Sequence, residues 1–169
     1  NPIIFDAWIY ILNNTENSVL WLLKDNKFSE DNLKLLIKKN GINPNRLIFA
    51  ENLKIEDHLQ RIEFADLFLD TFPYNGHTGI SDSLFQSCVP TISFTGKSFA
   101  SRVSYSLLSS ANLQKLATYN EKDYAEMIEY YCSNRKDLKN IREYLIEFKK
   151  SNLNRMIKFT QDFEKILTS

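Results

Sequence analysis

The chain has 169 residues, 43% of them hydrophobic and rich in Phe and Tyr, enough to bury one substantial core, so a single domain is the default reading. Twenty-one Lys and Arg balance twenty-one Asp and Glu, which supplies no general electrostatic pull toward nucleic acid or a membrane surface. No run of about 18 apolar residues offers a membrane span.

Helix and strand signals alternate along the chain, the pattern of a parallel sheet with helices on both faces. Asn1 and Pro2 supply a cap and a first-turn proline, and Ile4, Trp8, Ile11 and Leu12 then recur at helical spacing. Ser18 to Leu23 reads as a strand. A helix opening near Ser29 carries Leu33, Leu36 and Ile37 and ends at Gly41, a left-handed cap. Arg46 to Ala50 is the second strand, and Ile55 to Ala65 a helix with an expected buried stripe of Leu59, Ile62 and Phe64. Asp66 to Asp70 is the third strand, Thr78 to Ser87 a helix, Thr91 to Phe94 the fourth strand and Phe99 to Ala111 a helix; a short strand falls near Leu116. The tail from about residue 120 to 169 reads as three helices: Glu121 to Ser133, Arg135 to Lys150 and Asn154 to Leu167. Tyr124, Tyr130, Tyr131 and Tyr144 recur there at helical spacing, a packing pattern. Because doubly wound sheets open on a strand and this chain opens on a helix, a first strand is expected before Asn1. In the order 3-2-1-4-5-6 it would lie between the strands at Ser18 to Leu23 and Asp66 to Asp70, which without it should close up or accept a strand from elsewhere.

The most informative stretch is Asp66 to Asp82, DLFLDTFPYNGHTGISD. Leu67, Phe68 and Leu69 form an apolar run too short for a helix, and Asp70, Pro73, Asn75 and Gly76 stop it with a turn. Thr78 then caps a helix with Ile80, Leu84 and Phe85 on its apolar face. Unpaired N–H groups and the dipole at such a helix mouth favour a phosphate or pyrophosphate. His77 and Thr78 add two donors there, and Asp82, one turn in, can accept from a ribose hydroxyl.

Other chemistry falls away on residue grounds. Two histidines nineteen positions apart and two unpaired cysteines make no metal-ligand cluster, so no metal or cofactor is expected. Neither phosphate-binding glycine fingerprint is present, and no Asp-x-Asp triplet offers an ion site. Cys88 and Cys132, both in helical contexts, read as thiols in a reducing compartment, which fits a cytoplasmic protein. A receiver or flavodoxin-like module shares the alternating pattern, but the acidic pair a receiver needs after its first strand does not follow Leu23.

The run NGHTGISD after DLFLDTFPY strongly resembles the C-terminal catalytic half of the O-linked N-acetylglucosamine transferase family. Downstream, Pro90 to Phe94, Thr95-Gly96 and Ala100-Ser101-Arg102-Val103 stand in the family's order; upstream, Asn17 to Leu23 and Asn45 to Phe49 look like its preceding strands. The resemblance implies a Rossmann-like domain spanning residues 1–169, the donor-nucleotide half of a two-domain (GT-B) glycosyltransferase. The family's first strand, a phosphate-contacting lysine and the half carrying most acceptor contacts would lie before Asn1. It implies diphosphate contacts for His77 and Thr78, with backbone N–H at Gly79 where the family has a second threonine, and a ribose contact for Asp82. His58 and Arg61 keep the spacing of a uracil-flanking pair. The ribose-binding lysine falls on Ile55, with Lys54 next door. On the residues alone, His58 also fits an exposed helix face, Arg61 an ion pair with Asp57, and Asp70 a turn cap. Lys97 and Ser98 are second choices for the phosphates, and Arg102 fits a surface ion pair. The activity implied is transfer of N-acetylglucosamine from its uridine diphosphate to Ser or Thr of a protein, with no general base assigned. A related asparagine-linking glucosyltransferase, an O-fucosyltransferase or a non-catalytic nucleotide-binding module are the alternatives.

Overall fold

The computed structural model describes residues 2–168, without the side chains of residues 153–157; the expected cap at Asn1 lies outside the described residues. The fold is α/β, built on parallel strands. β1 (Leu20–Leu23) pairs with β2 (Leu47–Ala50), Leu20 opposite Leu47. β3 (Phe68–Leu69), β4 (Thr91–Phe94) and β5 (Ala117–Thr118) form a second parallel sheet in that order. β4 is buried at all four positions, as a central strand covered on both faces must be.

The connecting helices are α1 (Pro2–Asn14), α2 (Lys27–Lys39), α3 (Ile55–Glu63), α4 (Thr78–Ser81), α5 (Val103–Ser110), α6 (Glu121–Ser133) and α7 (Arg135–Thr168). Local chemistry sets their ends. Asn26 caps α2 by accepting the Ser29 N–H, Asn120 caps α6 by accepting the Asp123 N–H, and Gly41 after α2 adopts the left-handed φ of 79° that a glycine tolerates best. α1 bridges two apolar clusters: Ile4, Ala7 and Ile11 join the larger one around β4 and α6, while Leu12 joins the smaller one around β1 and β2. Arg46 ties the end of α1 to β1, donating to the carbonyls of Leu12, Thr15 and Ser18 and to the Ser18 hydroxyl, each at 2.7 Å.

The closing of β1 against β3, one of the two expected outcomes, is not found among the described residues: the strands belong to separate sheets. Trp8 and Leu69 nonetheless pack against both clusters and so join the halves. A cleft of about 670 Å³ opens beside them, lined by Phe5, Trp8, Leu22, Leu33, Phe49 and Phe72 among others.

Three further expectations are corrected. The third strand is shorter than expected: only Phe68 and Leu69 pair, flanked by the Phe68 N–H on the Pro90 carbonyl and the Asp70 N–H on the Ile92 carbonyl, while Asp66 lies outside it in a surface ion pair with Arg135 at 2.9 Å. The stripe of α3 rests on Ile62 with Leu59 half-buried; Phe64 lies past the end of the helix and is 83% exposed. The last two expected tail helices are one, since α7 runs unbroken from Arg135 to Thr168. None of its positions is Gly or Pro, so nothing local stops it.

Candidate functional site

β3 delivers the chain to Asp70, which has no exposed surface. Its Oδ1 accepts the N–H groups of Thr71 and Gly76, both at 2.8 Å, and its Oδ2 accepts the Ser93 hydroxyl at 2.6 Å. Burial is the largest influence on this carboxyl and pushes its pKa above the ordinary value; the hydrogen bonds from Ser93, Gly76 and Thr71 pull the other way. Asn75, equally buried, donates from Nδ2 to the carbonyls of Thr71 and Phe94 at 3.1 and 3.3 Å and accepts the Ser104 N–H at 3.4 Å. Residues 71–77 are thereby fastened to β3, β4 and α5.

The loop sits just beyond the carboxyl end of β3, where open α/β sheets bind ligands. Gly76 is where it must pass close to the core. A Cβ there would meet Ile80 Cγ1 at 3.2 Å and Cδ1 at 3.3 Å, so the Ile80 side chain would have to give by a few tenths of an ångström, with Asp70 Oδ1 in ordinary contact at 3.6 Å.

His77 follows with φ 36° and ψ −101°, a backbone state that costs a non-glycine residue about 1–3 kcal/mol. The surrounding contacts hold it there. Its ring stacks on Tyr74 at 4.6 Å with a 21° interplanar angle and meets Phe99 edge-on at 6.3 Å. Nε2 lies 3.2 Å from the Ala100 carbonyl, which can only accept, so the proton is assigned to Nε2. Half-buried His77 thus opens α4, with exposed Thr78 as its first residue. The Gly79 N–H, expected to be offered to phosphate, donates instead to the Gly76 carbonyl at 2.7 Å. That bond closes the tight turn into α4.

The helix expected over Thr78 to Ser87 is α-helical only to Ser81; Asp82–Gln86 continue as a π-helical stretch. Such stretches recur at functional sites. Half-buried Asp82 begins this stretch, and α3 packs on it, with the Ser87 hydroxyl donating to the Leu59 carbonyl at 2.9 Å. His58 and Arg61 therefore sit on a helix adjacent to the one bearing Asp82. Arg61 donates to His58 Nδ1 at 2.9 Å and to the Glu51 carbonyl at 2.6 Å rather than pairing with Asp57. Lys54 is exposed at the start of α3, its carbonyl taken by the His58 N–H.

The turn after β4 reaches the same end of the sheet. Lys97 is exposed and, with Phe72, Phe94, Thr95, Gly96 and Tyr119, lines a cleft of about 370 Å³. Ser98 is engaged locally, its hydroxyl 2.9 Å from that of Ser101 and its carbonyl accepting from Arg102 Nε at 3.3 Å. The structure thus brings His77, Thr78, Gly79 and Asp82 onto one turn and helix, and sets His58, Arg61 and Lys54 on the neighbouring helix. Among the described residues no group of three or more His, Cys, Asp or Glu is placed to hold a metal ion.

Sequence reasoning missed the support beneath the loop. Asn75, Ser93 and Tyr124, whose hydroxyl donates to the Asp70 carbonyl at 2.8 Å, all serve it. The available signal was polar Thr91 and Ser93 alternating inside the expected fourth strand, which the structure places at the centre of its sheet.

Comparison with known proteins agrees with the motif. The family model described as Glycosyl transferase family 41 matches residues 1–163. The chain is 32% identical over 127 residues to the UDP-N-acetylglucosamine--peptide N-acetylglucosaminyltransferase of Caenorhabditis elegans, covering 75% of this chain and 11% of that protein. It is also 32% identical over 174 residues to a probable enzyme of the same name, SPINDLY, of Solanum lycopersicum, covering 99% of this chain and 18% of that protein. A solved structure of a mutant Thermobaculum terrenum O-GlcNAc transferase superposes with a TM-score of 0.89 at 25% identity, over 99% of this chain and 33% of that one. The chain thus spans under a fifth of these curated relatives and a third of the solved structure, whose fold it shares. It belongs to glycosyl transferase family 41.

Proposed function

We propose that the chain is the donor-nucleotide half of a protein O-glycosyltransferase that moves N-acetylglucosamine from its uridine diphosphate to a Ser or Thr hydroxyl. The observation that carries this reading is the fastened loop that presents His77 and Thr78 at a helix mouth beyond the carboxyl end of β3. The names of the relatives, UDP-N-acetylglucosamine--peptide N-acetylglucosaminyltransferase, supply the sugar nucleotide and the peptide acceptor.

The chemistry follows from that geometry. As an acceptor hydroxyl attacks the anomeric carbon, the bond to the diphosphate breaks and negative charge builds on the leaving oxygen. Donors already fixed in place stabilise that charge without reorganising at the moment of reaction. The His77 ring and the Thr78 hydroxyl fill this role, while the Gly79 N–H is held by the Gly76 carbonyl. His77 meets a phosphate either by exchanging the Ala100 carbonyl for it at Nε2 or by carrying a second proton on Nδ1. Gly79 has room for a side chain, since a Cβ there meets only Phe68 Cζ, at 3.8 Å. Asp82, Arg61 and His58 orient the ribose and base, with Lys54, Lys97 and Ser98 next in line, and no metal is assigned. Acceptor contacts fall to the part of the relatives that this chain does not span. Free Cys88 and Cys132 support a reducing, cytoplasmic setting.

Calorimetry of uridine diphosphate and uridine with the wild type and with His77→Ala tests the reading. The diphosphate should bind more tightly than the nucleoside, and the substitution should remove about 1–3 kcal/mol of that advantage. Equal affinity for the two ligands, or an advantage untouched by His77→Ala, would refute the site.

A further inference from the structure

Asp70 cannot touch a ligand, since none of its surface is exposed, yet it is the most heavily used acceptor in the site. Three donors converge on its carboxylate: two backbone N–H groups from the loop, at Thr71 and Gly76, and one hydroxyl from β4, at Ser93. The two loop donors lie at the two ends of the turn. Accepting both on the single oxygen Oδ1 pins residue 71 to residue 76, and the next residue is His77. The Gly76 carbonyl in turn holds the Gly79 N–H, so the same fixed glycine determines where α4 begins. Tyr124 anchors the backbone of Asp70 from the other side through its carbonyl.

A carboxylate suits this place because it only accepts. A buried charge is costly without such partners, and burial already shifts this group toward its protonated form. An apolar residue of similar shape would leave the Thr71 and Gly76 N–H groups and the Ser93 hydroxyl without their acceptor. The charge is retained where the two loop N–H groups need a common acceptor.

We propose that Asp70 is a positioning residue for the donor diphosphate, acting through the Gly76 N–H to set the left-handed conformation and the direction of His77. The proposal rests on the diphosphate reading of the site and assigns a residue to its upkeep that makes no contact with the nucleotide.

The test measures the ratio of uridine diphosphate to uridine affinity in the wild type, Asp70→Asn and Asp70→Ala. General loss of folded protein lowers both affinities together and leaves the ratio alone; misplacement of His77 lowers the diphosphate term only. Asp70→Ala should cut the ratio by about tenfold or more. Asp70→Asn should stay within about threefold of the wild type, because its amide oxygen can still accept both N–H groups while Ser93 turns to accept from the amide nitrogen. A wild-type ratio in both variants, or an equal loss in both, would overturn the proposal. A wild type that does not prefer the diphosphate would instead overturn the reading of the site, and this role for Asp70 with it.

A ligand-free measurement decides the matter if Asp70→Ala does not fold. The Gly76 amide proton should titrate in the acid range in the wild type as the carboxylate is protonated, and the Asp70→Asn comparison should lack that step. Tyr124 is neutral throughout that range, and any contribution from neighbouring His77 is common to both proteins. An acid step of the same size in both would show that Asp70 does not hold Gly76.

Discussion

Tyr124→Phe isolates one hydrogen bond at the point where three elements meet. The side chain is completely buried, and its hydroxyl donates to the Asp70 carbonyl at 2.8 Å while lying 3.5 Å from Trp8 Nε1. α6, β3 and α1 therefore converge on one oxygen. Phe keeps the ring and its packing against Phe94, whose centroid is 6.1 Å away, so the cost is confined to the lost bond and to the carbonyl left without its donor. The Trp8 contact is long and adds little. The expected loss at neutral pH is about 1–2 kcal/mol, or roughly 2–8 °C in Tm for a chain of this size. Truncation to Ala would cost about 3–5 kcal/mol by opening a cavity, and so would not separate bond from packing.

Chemical denaturation from pH 7 upward sharpens the prediction. Burial raises the Tyr124 phenol well above its ordinary value of 10.0. The native state then holds this proton where the unfolded chain has released it. Its contribution to stability is complete below about pH 10 and is lost as pH climbs from there toward the folded-state value, by about 1.4 kcal/mol per pH unit. Tyr10, Tyr119, Tyr130 and Tyr131 are also raised, so the informative quantity is the difference between wild type and variant, in which their terms cancel. That difference should narrow above pH 10 and then change sign. A variant as stable as the wild type at pH 7, or a difference that stays constant through pH 11, would refute this account of the junction.

Arg46→Ala should cost about 2–4 kcal/mol in denaturant unfolding, because it leaves three carbonyls near the end of α1 without their shared donor. Arg46→Lys should recover only part of that, since an ammonium cannot reproduce the fork; full recovery would count against the geometry. Gly96→Ala should lower stability by about 1–3 kcal/mol in thermal melts, since the new Cβ would lie 2.5 Å from Ser101 Oγ and 2.8 Å from the Phe72 ring. An unchanged Tm would show that the turn after β4 yields freely. On the half-enzyme reading the 169-residue chain alone should transfer no sugar, whereas a protein that joins it to an acceptor-binding half should transfer N-acetylglucosamine to a Ser/Thr peptide equally well with and without a chelator. Transfer by the chain alone would contradict the half-enzyme reading, and loss of activity on chelation would contradict leaving-group stabilisation without a metal.

Much of the fold is legible in local pattern. Ile4, Ile11, Leu12 and Ile37 are buried where helical spacing puts them, Gly41 takes its left-handed cap, and Thr91–Phe94 is the central strand. What escapes the sequence depends on partners distant along the chain. Phe64 matches an apolar stripe by spacing, yet α3 ends at Glu63 and the ring projects outward. Asp66 belongs to a strand by its neighbours, yet it lies exposed before β3, paired with Arg135 on the surface. The π-helical stretch at Asp82–Gln86 has no signature in residue type. In the candidate site, His77 and Thr78 are visible because a Gly-flanked turn before a helix is a local feature. Asp70 is visible as a turn former, but its hold on Gly76 comes from a six-residue loop closing on itself and from Ser93, twenty-three positions away.

The most direct measurement is an experimental structure of the chain with uridine diphosphate bound. The account predicts both phosphates at the mouth of α4, within hydrogen-bond distance of the His77 ring and Thr78, with the ribose toward Asp82 and the base toward His58 and Arg61. Phosphates seated elsewhere, with His77 still stacked on Tyr74 and bonded to the Ala100 carbonyl, would contradict it.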